Sequence, residues 1–112
     1  GVPVTHRGVV HDFTVVSGHV PPRHPESLVN WDALAASRGT IVLMMAVQNA
    51  AVIAQTLIVG GRDAGQSAAI VMDGSLASER VIRTTLGQLG KSIETEKVRP
   101  PAIILIGDVA GL

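Results

Sequence analysis

Two apolar runs in this chain of 112 residues end in residues suited to holding a ligand. Thr40-Ile41-Val42-Leu43-Met44-Met45 ends in a methionine pair just ahead of a helical pattern, and Ala68-Ala69-Ile70-Val71-Met72 ends in Asp73-Gly74-Ser75. If both runs are strands of an α/β sheet, their C-terminal ends are where open sheets of that class place ligands. Gly74 lets a ligand approach the backbone, and a helix starting after it offers unpaired N–H donors. Met45 is then a rim residue, whereas Met44 reads as core filling. The chemistry so implied is non-covalent capture of a small molecule at one rim of a shared cleft. From pattern alone, two ordinary strand-to-helix turns explain the same residues equally well.

The remaining chemical candidates are weaker. Gly60-Gly61-Arg62-Asp63-Ala64-Gly65 does not match a phosphate-binding spacing and follows a helix rather than a strand, so it reads as a loop. His6, His11, His19 and His24 are spaced by five within each pair, which suits neither a helix face nor neighbouring strand positions, so no metal site is expected. With no cysteine and no G-x-S-x-G elbow, a hydrolase built on a covalent nucleophile is disfavoured. Arg7, beside Thr5 and His6, is either a solvated surface group or an anion contact through its planar fork. Arg80 and Arg83, three apart, are expected on the solvent face of a helix. No catalytic residue is identified.

Composition narrows the partners. Nine Lys and Arg balance nine Asp and Glu, so there is no electrostatic footprint for nucleic acid. The apolar runs are too short to span a bilayer, and the opening Gly1-Val2-Pro3 has none of the pattern of a secretory signal. The absence of Cys is compatible with a reducing cytoplasm. Hydrophobic residues make up 46%, nearly all aliphatic, with one Phe, one Trp and no Tyr. Such a core favours β-branched strands packed on Ala-rich helices, and the length allows one domain.

The elements that must position these residues can be sketched. Phe13 to Ser17 is a strand, and Val20 to Ser27, with three prolines, is a loop. Asn30 caps a short helix from Trp31 to Ala36, with Gly39 expected in the left-handed position after it. The run from Thr40 is a strand buried on both faces. A helix follows from about Asn49 to Val59, with Ala50, Ile53, Ala54 and Leu57 on one face and Gly60-Gly61 as its stop. Ala68 to Met72 is the next strand. A second long helix is expected from about Leu76 to Leu89, capped by Ser75 or Ser78, striped by Val81, Ile82, Leu86 and Leu89 and closed by Gly90. Glu94 to Arg99 reads as a polar loop, and Ala102 to Ile106 as the last buried strand. The class is α/β, with a mixed sheet of four to five strands and flanking helices. Successive strand–helix units give some parallel pairing, and the first strand is expected to pair antiparallel with the stretch from Gly107 to Leu112.

Read together, these residues resemble the uroporphyrinogen-III C-methyltransferases within the tetrapyrrole methylase family. Gly1-Val2-Pro3-Val4-Thr5-His6-Arg7 is similar to that family's G-[IV]-P-x-T-H-R segment. Phe13 to His19 resembles its strand ending in T/S-G-H, and the stretch from Thr40 to Ala50 its T-[LI]-V-x-x-M segment. Ala69-Ile70-Val71-Met72-Asp73-Gly74-Ser75 resembles V-A-[LV]-V-x-[ND]-G-[TS], and Pro101 to Val109 resembles P-A-[IL]-I-[IV]-[VI]-G-x-V-V. The likeness runs over essentially the whole chain. Thr-His-Arg is its most specific part.

The resemblance implies a cytoplasmic, homodimeric, two-domain enzyme. Such an enzyme transfers methyl groups from S-adenosylmethionine, without a metal, to uroporphyrinogen III, giving precorrin-2 on the way to sirohaem and cobalamin. It implies donor contacts at Met45 and Gly74, and places Thr5, His6 and Arg7 toward the carboxylate-rich tetrapyrrole. The family's Gly-rich N-terminal donor-binding domain has no counterpart in these residues. The chain therefore corresponds to the C-terminal domain, a single domain over 1–112, and is expected to be inactive alone. Ala46 stands where the family commonly has Gly and is expected to narrow the backbone approach. Two other readings are a non-catalytic ligand-binding or dimerisation module, and a methylase acting on another corrin intermediate.

Overall fold

A computed structural model describes residues 12–72 and 79–111. Its first half follows the local signals closely. Strand β1 (Phe13–Ser17) leads through the proline-rich loop to helix α1 (Trp31–Ala36). Asn30 caps α1, its Oδ1 accepting from the Ala33 N–H at 3.0 Å, and Asp32 lies in the first turn, where the helix dipole favours an anion. Strand β2 (Thr40–Met44) follows, then a 3-10 turn (Val47–Asn49) that leads into helix α2 (Ala50–Val59). Ala50, Ile53, Ala54 and Leu57 are the buried residues of α2, the face that their spacing predicts. Gly61, at φ +126, takes the backbone away from α2 in a conformation that favours glycine.

The second half contains the main correction. The residues expected as one helix from Leu76 to Leu89 are, where described, a strand, β4 (Arg80–Thr85), and a 3-10 turn (Leu86–Gln88) running into helix α3 (Leu89–Thr95). Four of the six β4 residues are β-branched, and pairing with β3 (Ser67–Met72) overrides the helical stripe. Arg80 and Arg83 therefore sit on an edge strand, where Arg83 Nη1 donates to the Ala110 carbonyl at 2.9 Å and Arg80 pairs with Glu96. Gly90 does not stop a helix. It lies in the first turn of α3, where a Cβ would come within 2.8 Å of the Ala51 Cβ, so its bareness lets α3 lie against α2. Ser75 and Ser78, the expected caps, lie outside the described residues.

Strand β5 (Ala102–Ile106) completes a five-stranded mixed sheet in the order β1-β2-β5-β3-β4. β1 pairs parallel with β2 and every other pairing is antiparallel, so β5 lies between the two strands that end in Met44 and Met72. β1 does not meet the C-terminal stretch, which forms a 3-10 turn (Asp108–Gly111) instead.

One sheet face carries the main core. Ile41, Leu43, Ile70, Ile104 and Ile106 pack there against Leu34, Ile53, Leu57, Leu86 and Leu89 of the helical layer. The opposite face holds a small cluster of Val42, Ala69, Leu105 and Ala110. Around that cluster Phe13 and Val15 stay half exposed, at 50% and 52%. Among the described residues no helix is long and apolar enough to cross a membrane.

Two glycine and arginine details fix the layers. Gly39 is not left-handed: α1 ends at Ser37, whose backbone is extended, and a Cβ on Gly39 would sit 2.5 Å from Asp12 Oδ1. Arg62, only 6% exposed, donates from Nε to the Leu34 carbonyl at 3.1 Å and from Nη2 to the Gly39 carbonyl at 2.7 Å and Ser37 Oγ at 2.9 Å. Its Nη1 donates to Gln66 Oε1 at 3.0 Å. The loop of residues 60–65 is thus a loop, as expected, and its arginine turns inward to clamp the α1–β2 turn. Burial pushes the guanidinium below its ordinary pKa, while Asp108 and Asp12 pull it back; an arginine so placed stays charged.

Candidate functional site

The antiparallel placement of β5 brings the C-terminal ends of β1, β2 and β3 and the N-terminal end of β5 to one edge of the sheet. In register, Met44 lies opposite Ile103, and Ile103 opposite Val71. Directly paired residues share a face, so these three form one apolar row. Beyond the row opens a cleft of about 630 Å³, which Met44, Met45, Gln48, His19 and the Pro100–Pro101 pair also line. Its volume falls in the range of small-molecule sites, which are mostly apolar with a few placed polar groups.

Met45 stands at this rim as the residue following β2. Its φ is +54, in the left-handed region, and its side chain is 66% exposed. A bulky side chain held in that region costs free energy unless the surroundings fix it. Met44 is not core filling: it is 42% exposed and lines the cleft, because alternation along β2 turns it, with Val42, to the sheet face opposite the helical layer. Ala46 is buried against Gly18 rather than turned into the cleft. A Cβ on Gly18 would come within 2.4 Å of the Ala46 methyl, so the two residues fill one close contact between the β1 and β2 ends. The backbone approach from the cleft is therefore not narrowed by the Ala46 methyl.

Asn49 was legible only as the start of a helix. It occupies the position before α2, yet its side chain makes no cap. Its Nδ2 instead donates to the Gly18 carbonyl at 2.8 Å and the His19 carbonyl at 3.0 Å. This tie holds the β1 end, with His19, against the rim that carries Met45. An Asn ahead of a helix ordinarily caps it, so nothing local marked this use.

Of the other sequence-derived candidates, Thr5, His6, Arg7 and Gly74 lie outside the described residues, as does His11. His19 lines the cleft. His24 Nδ1 accepts from the Glu26 N–H at 3.1 Å. Among the described residues no group of three or more possible metal ligands converges. The described walls offer His19 and Gln48 as polar side chains and no carboxylate or hydroxyl nucleophile. The described walls suit holding a largely apolar small molecule.

Known proteins align with this reading. An S-adenosyl-L-methionine-dependent uroporphyrinogen III methyltransferase of Methanosarcina barkeri is 37% identical over 112 residues, all of this chain and 44% of that protein. A uroporphyrinogen-III C-methyltransferase of a Sinorhizobium species is 33% identical, with 40% of its length covered. The chain thus spans less than half the length of these curated relatives. Among solved structures, the uroporphyrin-III C-methyl transferase of Thermus thermophilus complexed with S-adenyl homocysteine matches 96% of this chain and 45% of that one, at TM-score 0.79 and 30% identity. A cobalt precorrin-4 methyltransferase shares the fold at TM-score 0.83 and 18% identity. The sequence model of the tetrapyrrole (corrin/porphyrin) methylases matches residues 1–90. With that match over most of its length, the chain belongs to the tetrapyrrole (corrin/porphyrin) methylases.

Proposed function

We propose that this chain is the C-terminal half of a two-domain, S-adenosylmethionine-dependent uroporphyrinogen-III C-methyltransferase. The enzyme makes precorrin-2 for sirohaem and cobalamin and works in the cytoplasm as a homodimer. The observation that carries the reading is the apolar cleft at the Met44–Ile103–Val71 row, with Met45 on its rim. Support comes from relatives named for this activity that align over the whole chain and from the S-adenyl homocysteine complex of a structural neighbour.

The walls fit a methyl donor. Val71, Ile103 and Pro101 offer flat apolar surface for a purine ring, and Gln48 and His19 are placed for its polar edge. When bound, the donor would supply a sulfonium methyl: a π pair of the pyrrole would form the new carbon–carbon bond as the carbon–sulfur bond breaks with its pair left on sulfur, and the tetrapyrrole cation would then shed a proton to solvent. The chain contributes position: the Asn49 tie and the Gly18–Ala46 contact fix the rim, Met45 and Gly74 hold the donor, and Thr5, His6 and Arg7 face the tetrapyrrole. Displacement of this kind depends on aligning the reacting atoms, and one wall of the site belongs to the other domain. The chain alone is therefore inactive. The half-exposed Phe13 and Val15 on the open sheet face support the homodimer.

The test is a calorimetric titration of S-adenosylhomocysteine into the chain and into the full-length protein that contains it, with turnover of uroporphyrinogen III in both. Nanomolar-to-micromolar binding and methyl transfer are expected only in the full-length protein. Full-length protein that neither binds S-adenosylhomocysteine nor methylates uroporphyrinogen III would sink the reading.

A further inference from the structure

Beside the cleft lies a second concavity of about 440 Å³, lined by Met72, Arg80, Glu96, Lys97, Arg99 and Pro100. The two share Pro100 as a common ridge. Met72 pairs with Arg80 and with Ala102 on the helical face of the sheet, opposite the apolar row, so the two concavities meet around the sheet edge at Pro100. Three cations face one carboxylate here, in a chain whose formal charge is zero. Glu96 is engaged by Arg80. Lys97 and Arg99 have no salt-bridge partner among the described residues, and both are exposed.

Backbone geometry adds an independent observation. Lys97 follows α3 at φ +54, and the Val98 N–H closes back to the Ile93 carbonyl at 3.0 Å. That is the helix-ending position where glycine is the usual choice. A lysine there is strained relative to glycine, and such strain is commonest where the side chain is used. Exposed cations are ordinarily just solvated. Convergence of three of them on a concavity that adjoins the cleft, one from a strained backbone, sets this group apart.

We propose that this pocket receives carboxylate side chains of the tetrapyrrole, with Lys97 and Arg99 as specificity-determining residues and Arg80 as a third cation held in place by Glu96. The proposal rests on the methyltransferase reading above. A tetrapyrrole whose ring lies against the donor in the cleft projects its acidic arms past the Pro100 ridge, where guanidinium and ammonium groups form charge-assisted hydrogen bonds.

The test uses the full-length enzyme with Lys97→Gln, Arg99→Gln and the double variant. KM for uroporphyrinogen III should rise on the order of tenfold in the double variant, with kcat changed far less and S-adenosylhomocysteine affinity unchanged. Arg99→Lys should recover part of the loss. An analogue with methyl groups in place of the acetates should bind wild type and the double variant more nearly alike. Unchanged KM in the double variant overturns the proposal. So does weakened S-adenosylhomocysteine binding with unchanged KM, which would assign the cations to the carboxylate of the donor. Wild-type enzyme that neither binds S-adenosylhomocysteine nor turns over is a different outcome, and it overturns the underlying methyltransferase reading instead.

Discussion

Replacing Met45 by glycine separates a folding role from a binding role. At φ +54 a methionine is disfavoured relative to glycine by about 1–2 kcal/mol, and Met45→Gly relieves that cost. Against it stand two losses. The side chain is 66% exposed, so only about a third of its surface is buried, worth about 0.5–1 kcal/mol of the 1.5–3 for full burial. The added freedom of a glycine in the unfolded chain costs a further 0.4–1 kcal/mol or about that. These terms cancel to within about 0.5 kcal/mol, so urea melts of wild type and Met45→Gly should nearly superimpose. Met45→Ala keeps the strained backbone and loses the burial, and should be the less stable variant by about 0.5–1 kcal/mol. Both variants remove the thioether from the rim and should weaken S-adenosylhomocysteine binding in the full-length protein by about tenfold, roughly 1.4 kcal/mol. Loss of more than about 2 kcal/mol of stability in Met45→Gly would show that the residue anchors the fold. Unchanged affinity would show that the cleft is not the donor site.

Three further perturbations test the frame around the cleft. Arg62→Met strands the Leu34 and Gly39 carbonyls and should cost about 3–5 kcal/mol in denaturant unfolding; a loss below about 1 kcal/mol would contradict the clamp. Gly18→Ala puts a methyl within 2.4 Å of Ala46 Cβ and 2.9 Å of its Cα. It should destabilise by about 1–3 kcal/mol, with Ala46→Gly restoring part of the loss in a double-mutant cycle. Additive effects in that cycle would refute the contact. For the proposed homodimer, Val15→Glu on the open sheet face should shift the full-length protein from dimer to monomer in light scattering, with stability of the monomer within about 0.5 kcal/mol of wild type; an unaltered dimer would place the interface elsewhere, and a monomeric wild type would refute the dimer.

What was legible in the chain was what local chemistry decides. Asn30 and the Trp31–Ala36 helix, the apolar runs that became β2, β3 and β5, and the inward face of α2 were all readable to within a residue or two. So was a mixed sheet of up to five strands. Strand order was not, because β5 inserts between β2 and β3 through pairings that join distant segments. β4 was misread for a related reason. Val81 and Ile82 were joined to Leu86 and Leu89 in one stripe, although the leucines lie beyond the strand and only pairing with β3 draws the boundary. Arg62 carried no local sign of burial, since its acceptors Leu34, Ser37 and Gly39 lie far back in the chain. At the cleft, Met45 is legible as a strand-end residue, whereas the local pattern around Met44 and Asn49 reads as the ordinary core filler and helix start.

Those exceptions have a common location, and that bears on function. A sequence folds reliably when its local preferences agree with the whole, and natural chains depart from that agreement mainly at sites under another demand. Here β2 ends on an exposed methionine, the next residue is a methionine in a glycine-like conformation, and the residue before α2 forgoes its cap. All three lie within residues 44–49, on or tied to the rim of the apolar cleft. Lys97, the one non-glycine residue at positive φ among the described residues of the C-terminal half, lines the adjoining cationic concavity. Arg23, at φ 72 in the proline-rich loop, is the exception, away from both. If these departures were incidental to folding, relieving them would leave binding unchanged. Strain concentrated at one edge argues instead that stability there is set against the shape of a ligand site, and the Met45 variants measure both sides of that balance.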